Sequence, residues 1–473
     1  MTPRTRTALA LCLTLLCGRL ATAPANAQNP APKPTISAKR PNFVFFLTDD
    51  QRADTLSIAG HPLLKTPNID ALARAGSWFQ NAFVTHSLCA PSRSSFLTGM
   101  YSHSTGVVDN ASRRKLKPGT VLVSDILRQN GYEVAFVGKA HIQNELRDHP
   151  WDDYFGFRGQ GRYNNPMIIA NKQPEKLYKG WMDDVLAAHA VDFLTRPHDK
   201  PFCLFVFFKA SHRSWTRPER LAHLYEGQSV AEPPTMHTGY AGKPAAVADA
   251  DMKIGSFPDV PNLDKLVKDY CATLAAIDEN VGKILGALSA QHLNDDTAVV
   301  YSSDNGFFLG EWNFFDKRLM YEPSIRVPLI VRYPKLFPAG LRPTQLALHI
   351  DVAPTLLELA GIPIPHWMQG RSLVPILEGK QPPTAWRTDF LYEYYEYPEP
   401  HRVKPNRGVR TDRWKYIEFP GNPSEYELYD LKTDPRETTN LYGKPEFAPR
   451  VEHLRKRLLE LRRETLDPDL ETK

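Results

Sequence analysis

Short runs of apolar residues that end abruptly in polar residues recur along the chain. Four of them are Phe43–Leu47, Val134–Val137, Phe202–Phe208 and Ala298–Tyr301. Uninterrupted apolar runs of this length are typical of strands buried on both faces, as in a parallel sheet flanked by helices. Because helical patterns separate the runs, the sequence predicts an α/β fold.

Two of the helical patterns have clear limits. Thr66 and Pro67 predict a helix start, with Thr66 as N-cap and Pro67 at the first helical position, and the pattern continues to Ala75. Residues Leu263–Leu288 predict a long amphipathic helix. Both lengths suit helices that cover one face of a sheet.

The remaining segments predict two long excursions and a second, smaller domain. Residues 150–180 and 213–262 are rich in Pro, Gly, Asn and aromatic residues, so we expect loops that wall a pocket. From about Pro382 the pattern changes to short strands at Leu391–Tyr397, Arg407–Phe419 and Tyr426–Leu431, followed by a helix at Pro445–Leu466. We therefore divide the chain into a main domain, residues 41–381, and a small α+β C-terminal domain, residues 382–473.

The N-terminus has the pattern of a secretory signal peptide. Residues 1–27 combine a basic start, the apolar stretch Ala8–Leu16 and a terminal Ala-Asn-Ala, and a Pro-rich leader follows over residues 28–40. We expect export to the periplasm or the exterior. A lipoprotein that uses Cys17 is the alternative, which Leu16 in place of a small residue disfavours. No later segment is apolar enough to cross a bilayer.

Composition excludes one class of partner. Of the 473 residues 42% are hydrophobic and 23% charged, as in ordinary globular proteins. The formal charge of +5 includes three arginines and no acid within residues 1–27, so residues 28–473 carry only +2. This balance gives no basis for binding nucleic acid.

Three of the five cysteines follow the signal peptide, and an odd number in an exported chain indicates a thiol with a separate role. Cys203 lies in an apolar run and Cys271 in a helical pattern. These two form either a disulfide or a pair of buried free thiols. Cys89 is therefore the candidate for chemistry.

Polar residues follow the four apolar runs directly. They are Asp49 and Asp50 after the first, Lys139 and His141 after the second, His212 after the third, and Asp304 and Asn305 after the fourth. Ligands of open α/β sheets bind at the carboxyl ends of the strands, so these residues are expected to converge on one pocket. The acids and the amide offer hard oxygen donors that suit Ca²⁺ or Mg²⁺ rather than zinc. The alternative is structural, a helix N-cap and a turn.

Residues 89–93, Cys-Ala-Pro-Ser-Arg, are followed by Leu97-Thr98-Gly99. This motif resembles that of the type I sulfatases, members of the alkaline-phosphatase superfamily, in which a maturase oxidises the cysteine to Cα-formylglycine. The resemblance implies an alkaline-phosphatase-like mixed, mostly parallel sheet. Two alternatives remain open on the residues themselves, namely a hydrolase that uses an unmodified thiolate near a helix start and a buried spectator cysteine.

The resemblance also implies roles for residues at matching positions. The implied metal ligands are Asp49, Asp50, Cys89 as formylglycine, Asp304 and Asn305, and the implied catalytic residues are Cys89, Arg93, Lys139, His141, His212 and Lys317. In the implied double displacement, the hydrate of residue 89 attacks sulfur while His212, assisted by Lys317, protonates the departing alcohol. His141 then takes a proton from the second hydroxyl, and sulfate leaves.

Within the family, Gly310-Glu311 and residues 315–322 resemble carbohydrate exosulfatases, nearest to the N-acetylglucosamine-6-sulfatases. The implied partner is a sulfated saccharide, and His401 and Arg407 are our candidates for its contacts. Two departures bear on the sugar pocket, namely Ala140 where tryptophan is frequent, and Trp312 and Asn313 where His-Gly is frequent after Gly-Glu. The alternatives are another sugar or choline-type ester, a phosphodiester or phosphonate monoester hydrolase, and a glycan-binding protein without catalysis.

Overall fold

The computed structural model describes residues 40–382 and 384–470, and the predicted signal peptide and nearly all of the leader lie outside them. In chain order the described strands are β1 (Asn42–Thr48), β2 (Ser77–Trp78), β3 (Ala82–Phe83), β4 (Glu133–Gly138), β5 (Asp153–Gly156), β6 (Met167–Ala170), β7 (Lys176–Leu177), β8 (Phe202–Phe207), β9 (Thr297–Ser303), β10 (Phe308–Leu309), β11 (Phe315–Asp316), β12 (Leu329–Arg332), β13 (Ala347–Leu348), β14 (Asp389–Tyr394), β15 (Asn406–Thr411), β16 (Trp414–Phe419) and β17 (Glu425–Asp430).

The α-helices are mostly short, apart from three. They are α1 (Pro67–Ala75), α2 (Cys89–Thr98), α3 (Ser102–Thr105), α4 (Val123–Gln129), α5 (Met182–Thr195), α6 (Ala245–Ala248), α7 (Leu263–Ala290), α8 (Glu322–Ile325), α9 (Val352–Leu359), α10 (Val374–Leu377) and α11 (Ala448–Glu464). Among them, none combines the length and the apolar character that a bilayer crossing requires.

The main sheet has nine strands in the order β2-β12-β9-β1-β8-β4-β5-β6-β7. The five central strands run parallel, and the strands at both edges pair antiparallel. The four predicted apolar runs are the strands β1, β4, β8 and β9 at its centre. The predicted mixed, mostly parallel sheet is therefore confirmed.

Alternate residues of the central strands feed two hydrophobic cores. Phe43, Phe45 and Leu47 of β1 belong to the core on one face, which includes residues of α2, α4 and α9. Val44 and Phe46 belong to the core on the other face, which includes residues of α1, α5 and α7. Because both faces are covered, every residue of β1 is buried, which explains the uninterrupted apolar run.

Helix α1 begins as predicted at Pro67, but its first turn is capped differently. The Thr66 hydroxyl makes no cap hydrogen bond and donates instead to the Asp70 carboxylate, at 2.8 Å. The backbone N–H groups of Asn68 and Ile69 donate to Asp278 of α7. A carboxylate from a neighbouring helix thus takes the role predicted for Thr66.

The two predicted excursions have different outcomes. Residues 150–180 contain β5, β6 and β7, which extend the main sheet, so the prediction of a loop was wrong for these three strands. These strands are short and flanked by Gly and Asn, which hid their strand pattern. Residues 213–262 contain only the short helix α6 and one 3₁₀ turn, at Glu219–Leu221, and form the predicted long loop.

The C-terminal region is a four-stranded antiparallel sheet, β14-β15-β16-β17, with α11 packed against it. The predicted strand Arg407–Phe419 is in fact two strands joined by a tight turn at Asp412 and Arg413. The described residues all belong to one compact unit, Ser37–Lys473, and the boundary between residues 381 and 382 stays a prediction. Cys89, Cys203 and Cys271 are buried and free, so the alternative of a disulfide is not realised.

Candidate active site

Carboxylates from two neighbouring strands meet at the carboxyl edge of the main sheet. Asp49 and Asp50 follow β1, and Asp304 follows β9, its parallel neighbour. Oxygen atoms of the three carboxylates lie within 4.8 Å of one another, and all three side chains are fully buried. The Asp50 backbone N–H donates to Asp304 Oδ1 at 3.0 Å, which fixes the two strand ends together.

This group of residues fits a hard divalent cation. Asp50 Oδ2 and Asn305 Oδ1 are buried without a hydrogen-bond partner, so each has lone pairs that a cation would satisfy. Burial raises the pKa of Asp50 to about 7 against the opposing effect of Lys317. The donors are three carboxylates and one amide oxygen, which is the donor set expected for Ca²⁺ or Mg²⁺.

Cys89 is the first residue of α2, and its Sγ lies 3.5 Å from Asp49 Oδ1. The next backbone N–H, of Ala90, donates to Asn110 Oδ1 at 2.9 Å, which caps the helix from another segment. Burial, together with the negative charge of Asp49, raises the pKa of the Cys89 thiol to about 12. Without a bound cation, an unmodified thiol would therefore stay protonated at neutral pH.

Arg93 lies on the next turn of α2 and is completely buried. Its Nε lies 2.8 Å from Asp304 Oδ2 and its Nη2 lies 3.2 Å from Asp49 Oδ2. Its Nη1 donates to the backbone carbonyl of Lys139. Arg93 thus balances the charge of two carboxylates.

Two buried lysines complete the charge balance. Lys139 Nζ forms an ion pair with Asp49, and Lys317 Nζ forms one with Asp50. Burial lowers the pKa of Lys317, but Asp50 outweighs this effect and holds the pKa above its ordinary value. The ammonium of Lys317 is therefore charged beside the carboxylates, although it comes from a segment far from β1 in sequence.

Two histidines stand at the same edge. A ring nitrogen of His212 lies within 4.8 Å of Cys89 Sγ and of an Asp49 carboxylate oxygen, and its Nδ1 faces the Arg213 carbonyl oxygen. His141 Nδ1 is buried without a partner. Burial and then the charge of Lys139 lower the pKa of both imidazoles well below the ordinary value, so both are neutral before an anion enters.

The structure separates the two residues predicted to contact the sugar. His401 is buried, with Nε2 3.5 Å from Asp316 Oδ2, directly beside Lys317. Arg407 instead pairs with Glu418 of the adjacent strand at 3.2 Å and contacts no member of the cluster. Neighbouring residues of a strand point to opposite faces, so it is Asn406 that faces the Arg318 carbonyl, at 3.5 Å.

His401 belongs to a group of buried polar residues that we call the polar wall. Its members are Asp316, Arg318, Glu396, His401 and Asn406. Arg318 Nη2 lies 3.6 Å from Glu396 Oε1, and Arg318 also pairs with Asp316. Three atoms of the wall, Arg318 Nε, Glu396 Oε1 and Asn406 Oδ1, are buried without hydrogen-bond partners. The wall thus offers both donors and acceptors next to Lys317.

Comparison with known proteins decides the family. Residues 41–362 match the family model described as "Sulfatase", and residues 310–464 match that described as "N-sulphoglucosamine sulphohydrolase, C-terminal". This chain belongs to the sulfatase family. The enzyme is accordingly a sulfuric ester hydrolase, and the class predicted from the Cys89 motif is confirmed.

Relatives of this sulfatase span nearly its whole length. An N-acetylglucosamine-6-O-sulfatase of Bacteroides thetaiotaomicron is 34% identical over 97% of this chain and 92% of its own. The N-acetylglucosamine-6-sulfatase of Homo sapiens is 28% identical over 85% of this chain and 81% of its own. A protein solved in complex with its substrate D-glucosamine-2-N,6-O-disulfate is 33% identical, covers 91% of this chain and 99% of its own, and superposes with a TM-score of 0.86.

Sequence reasoning missed four members of the polar wall in this sulfatase, namely Asp316, Arg318, Glu396 and Asn406. A signal for Arg318 and Glu396 was present, because charged residues in aromatic segments are rarely buried without a function.

Trp312, which belongs to one of the two departures noted in the sequence, packs on Tyr321 with ring centroids 4.9 Å apart. Lys243 Nζ lies over the Trp312 ring, 4.4 Å from its centroid. Trp312 therefore supports the segment behind the site.

Proposed function

We propose that this sulfatase removes the 6-O-sulfate from terminal N-acetylglucosamine or glucosamine residues of a sulfated polysaccharide. The observation that carries the proposal is the juxtaposition of Cys89 with three buried carboxylates, three buried cations and the polar wall. The names of the relatives support the sugar and the sulfate position, because two of them act on N-acetylglucosamine 6-sulfate by name and a third binds a 6-O-sulfated glucosamine.

Sulfate binding is the task of the buried ammonium groups. Lys139 pairs with Asp49 and Lys317 with Asp50, and both ammonium groups would bind the sulfate oxygens, on which negative charge grows as the S–O bond breaks. Asp49, Asp50, Asp304 and Asn305 would hold a calcium ion, with magnesium as the alternative. When bound, the ion would polarise the hydrated aldehyde of residue 89 and increase its nucleophilicity.

Proton transfer is assigned to the two histidines. The Arg213 carbonyl faces His212 Nδ1, so Nδ1 carries a hydrogen and Nε2 is the nitrogen that donates to the leaving alcohol oxygen. The incoming sulfate ester, a monoanion, favours the protonated form of His212, whose pKa is low when no anion is bound. His141, whose Nδ1 lacks a partner, would accept the proton from a hydroxyl of residue 89.

Recognition of the sugar is assigned to the polar wall. Its carboxylates and Asn406 Oδ1 accept hydrogen bonds from sugar hydroxyl or amine groups, and Arg318 Nε donates to ring and hydroxyl oxygens. The unpartnered atoms of Arg318, Glu396 and Asn406 would thereby be satisfied. Export to the periplasm or the exterior and oxidation of Cys89 by a maturase are parts of the same proposal.

The test is sulfate release from a panel of sulfated monosaccharides and glycosaminoglycan disaccharides by enzyme co-expressed with a maturase. Mass spectrometry of the peptide that contains residue 89 verifies the modification, and Cys89→Ala is the blank. We expect selective release from 6-O-sulfated N-acetylglucosamine or glucosamine. Release from a different sugar alone would overturn the substrate, and turnover of a phosphodiester without any sulfate release would overturn the activity.

A further inference from the structure

The loop that carries His212 is held by hydrogen bonds from several side chains. We call residues 209–216 the histidine loop. Asp183 of α5 accepts the backbone N–H groups of Lys209, at 2.7 Å, and Ala210, at 3.2 Å. The His212 carbonyl oxygen accepts a hydrogen bond from Tyr163 Oη at 2.7 Å. Tyr163 comes from the connection between β5 and β6 and takes no part in the mechanism described above.

The ring of Tyr163 is fixed on two sides. Trp181 stacks on it with centroids 5.4 Å apart and planes 14° apart, and Lys209 Nζ lies 4.4 Å from its centroid. The residue is only 4% exposed. Burial and then the charge of Asp183 raise the pKa of Tyr163 well above its ordinary value, so the hydroxyl keeps its proton and remains a donor.

The hydrogen bond from the Tyr163 hydroxyl connects Tyr163 to His212, the proposed general acid. The hydrogen bond to the His212 carbonyl fixes the plane of the peptide between His212 and Arg213. The orientation of this peptide in turn determines where the Arg213 carbonyl lies. That carbonyl faces His212 Nδ1 and sets the rotation of the imidazole. We propose that Tyr163 is a positioning residue that aims His212 Nε2 at the leaving oxygen.

This inference rests on the proposed function, because it assumes that His212 protonates the alcohol. A general acid is needed when the leaving group is a sugar alkoxide, which is a poor leaving group, and hardly needed when it is 4-nitrophenolate. Tyr163→Phe should therefore lower kcat for 6-O-sulfated N-acetylglucosamine about tenfold, which corresponds to about 1.4 kcal/mol, with KM little changed. The kcat of Tyr163→Phe for 4-nitrophenyl sulfate should be nearly unchanged.

A double-mutant cycle provides a second readout on the sugar ester. If Tyr163 acts through His212, Tyr163→Phe should cause no further loss in the His212→Ala background. Tyr178→Phe is the matched control, because the Tyr178 hydroxyl makes no hydrogen bond with any described residue, and it should retain wild-type rates on both esters. Thermal unfolding of each variant verifies the fold.

Two results would overturn the inference. Equal losses of Tyr163→Phe on both esters would mean that the hydroxyl supports the fold of the site in general. Additive losses in the cycle would mean that Tyr163 acts independently of His212. Wild-type enzyme that hydrolyses neither ester would instead refute the proposed function, and with it the acid role that Tyr163 serves.

Discussion

Calcium should stabilise the folded protein by an amount that follows from the site and the size of the molecule. An ion that binds the buried carboxylates of the folded state alone contributes about 2.7 kcal/mol at a free concentration of about one hundred times Kd. Unfolding entropy is about 2.1 cal/mol/K per residue, so the roughly 430 described residues give about 0.9 kcal/mol/K. The unfolding midpoint should therefore rise by about 3 °C, and by about 1.5 °C for each further tenfold increase in calcium.

The assay is calorimetry or fluorescence-monitored melting after EDTA treatment, over a calcium titration at constant ionic strength. In Asp50→Asn the site loses one unit of charge, and the shift at the same calcium concentration should fall by at least about half. Asparagine is suited to this position because residue 50 has φ +65°, which asparagine tolerates. Asp412→Asn, in an exposed turn, is the matched control and should keep the full shift. A midpoint independent of calcium, or an undiminished shift in Asp50→Asn, would refute a cation site at these carboxylates.

Two further predictions concern pH and the sugar. Burial lowers the pKa of His103, but Glu393, at 2.6 Å, outweighs it and raises the pKa to about 9, so stability that is fully present below pH 6.5 is lost as the pH rises through 9. Urea unfolding at pH 6 and pH 9.5 should show a loss of up to about 3 kcal/mol in wild type that is absent in His103→Asn, and an equal loss in both would contradict the assignment. His401→Gln should raise KM for the sugar ester about tenfold, while Arg407→Gln should leave KM nearly unchanged. Equal effects of the two substitutions in steady-state kinetics would refute a role of His401 in sugar binding.

The central strands could be predicted from the sequence, but their order in the sheet could not. The run Phe43–Leu47 reads as a buried strand because both of its faces are covered. Its neighbours are β8 and β9, which follow it by about 160 and 255 residues, and no local pattern encodes such pairings. The strand β7 was missed for a different reason, because Lys176–Leu177 is exposed and only two residues long.

The residues of the site likewise divide into those that the sequence could predict and those that it could not. Residues that directly follow an apolar run, such as Asp49 and Asp304, are placed at the sheet edge by the fold class alone. Members of the polar wall come from β11, β14 and β15 and the segments beside them, and these meet only through tertiary packing. The choice between Arg407 and Asn406 shows the limit, since a shift of one residue along a strand moves a side chain to the opposite face.

The charges of the site argue that cation binding and sulfate binding depend on each other. The carboxylates of Asp49, Asp50 and Asp304 face Arg93, Lys139 and Lys317, so the cluster is formally neutral and both of its ammonium groups are paired with carboxylates. A neutral cluster attracts an anionic ester weakly. A divalent cation at the carboxylates would give the cluster a charge of about +2 and would compete with both lysines for their partners, so that the ammonium groups would become available to the sulfate oxygens. Loss of the cation should therefore weaken binding of the substrate as well as the chemical step.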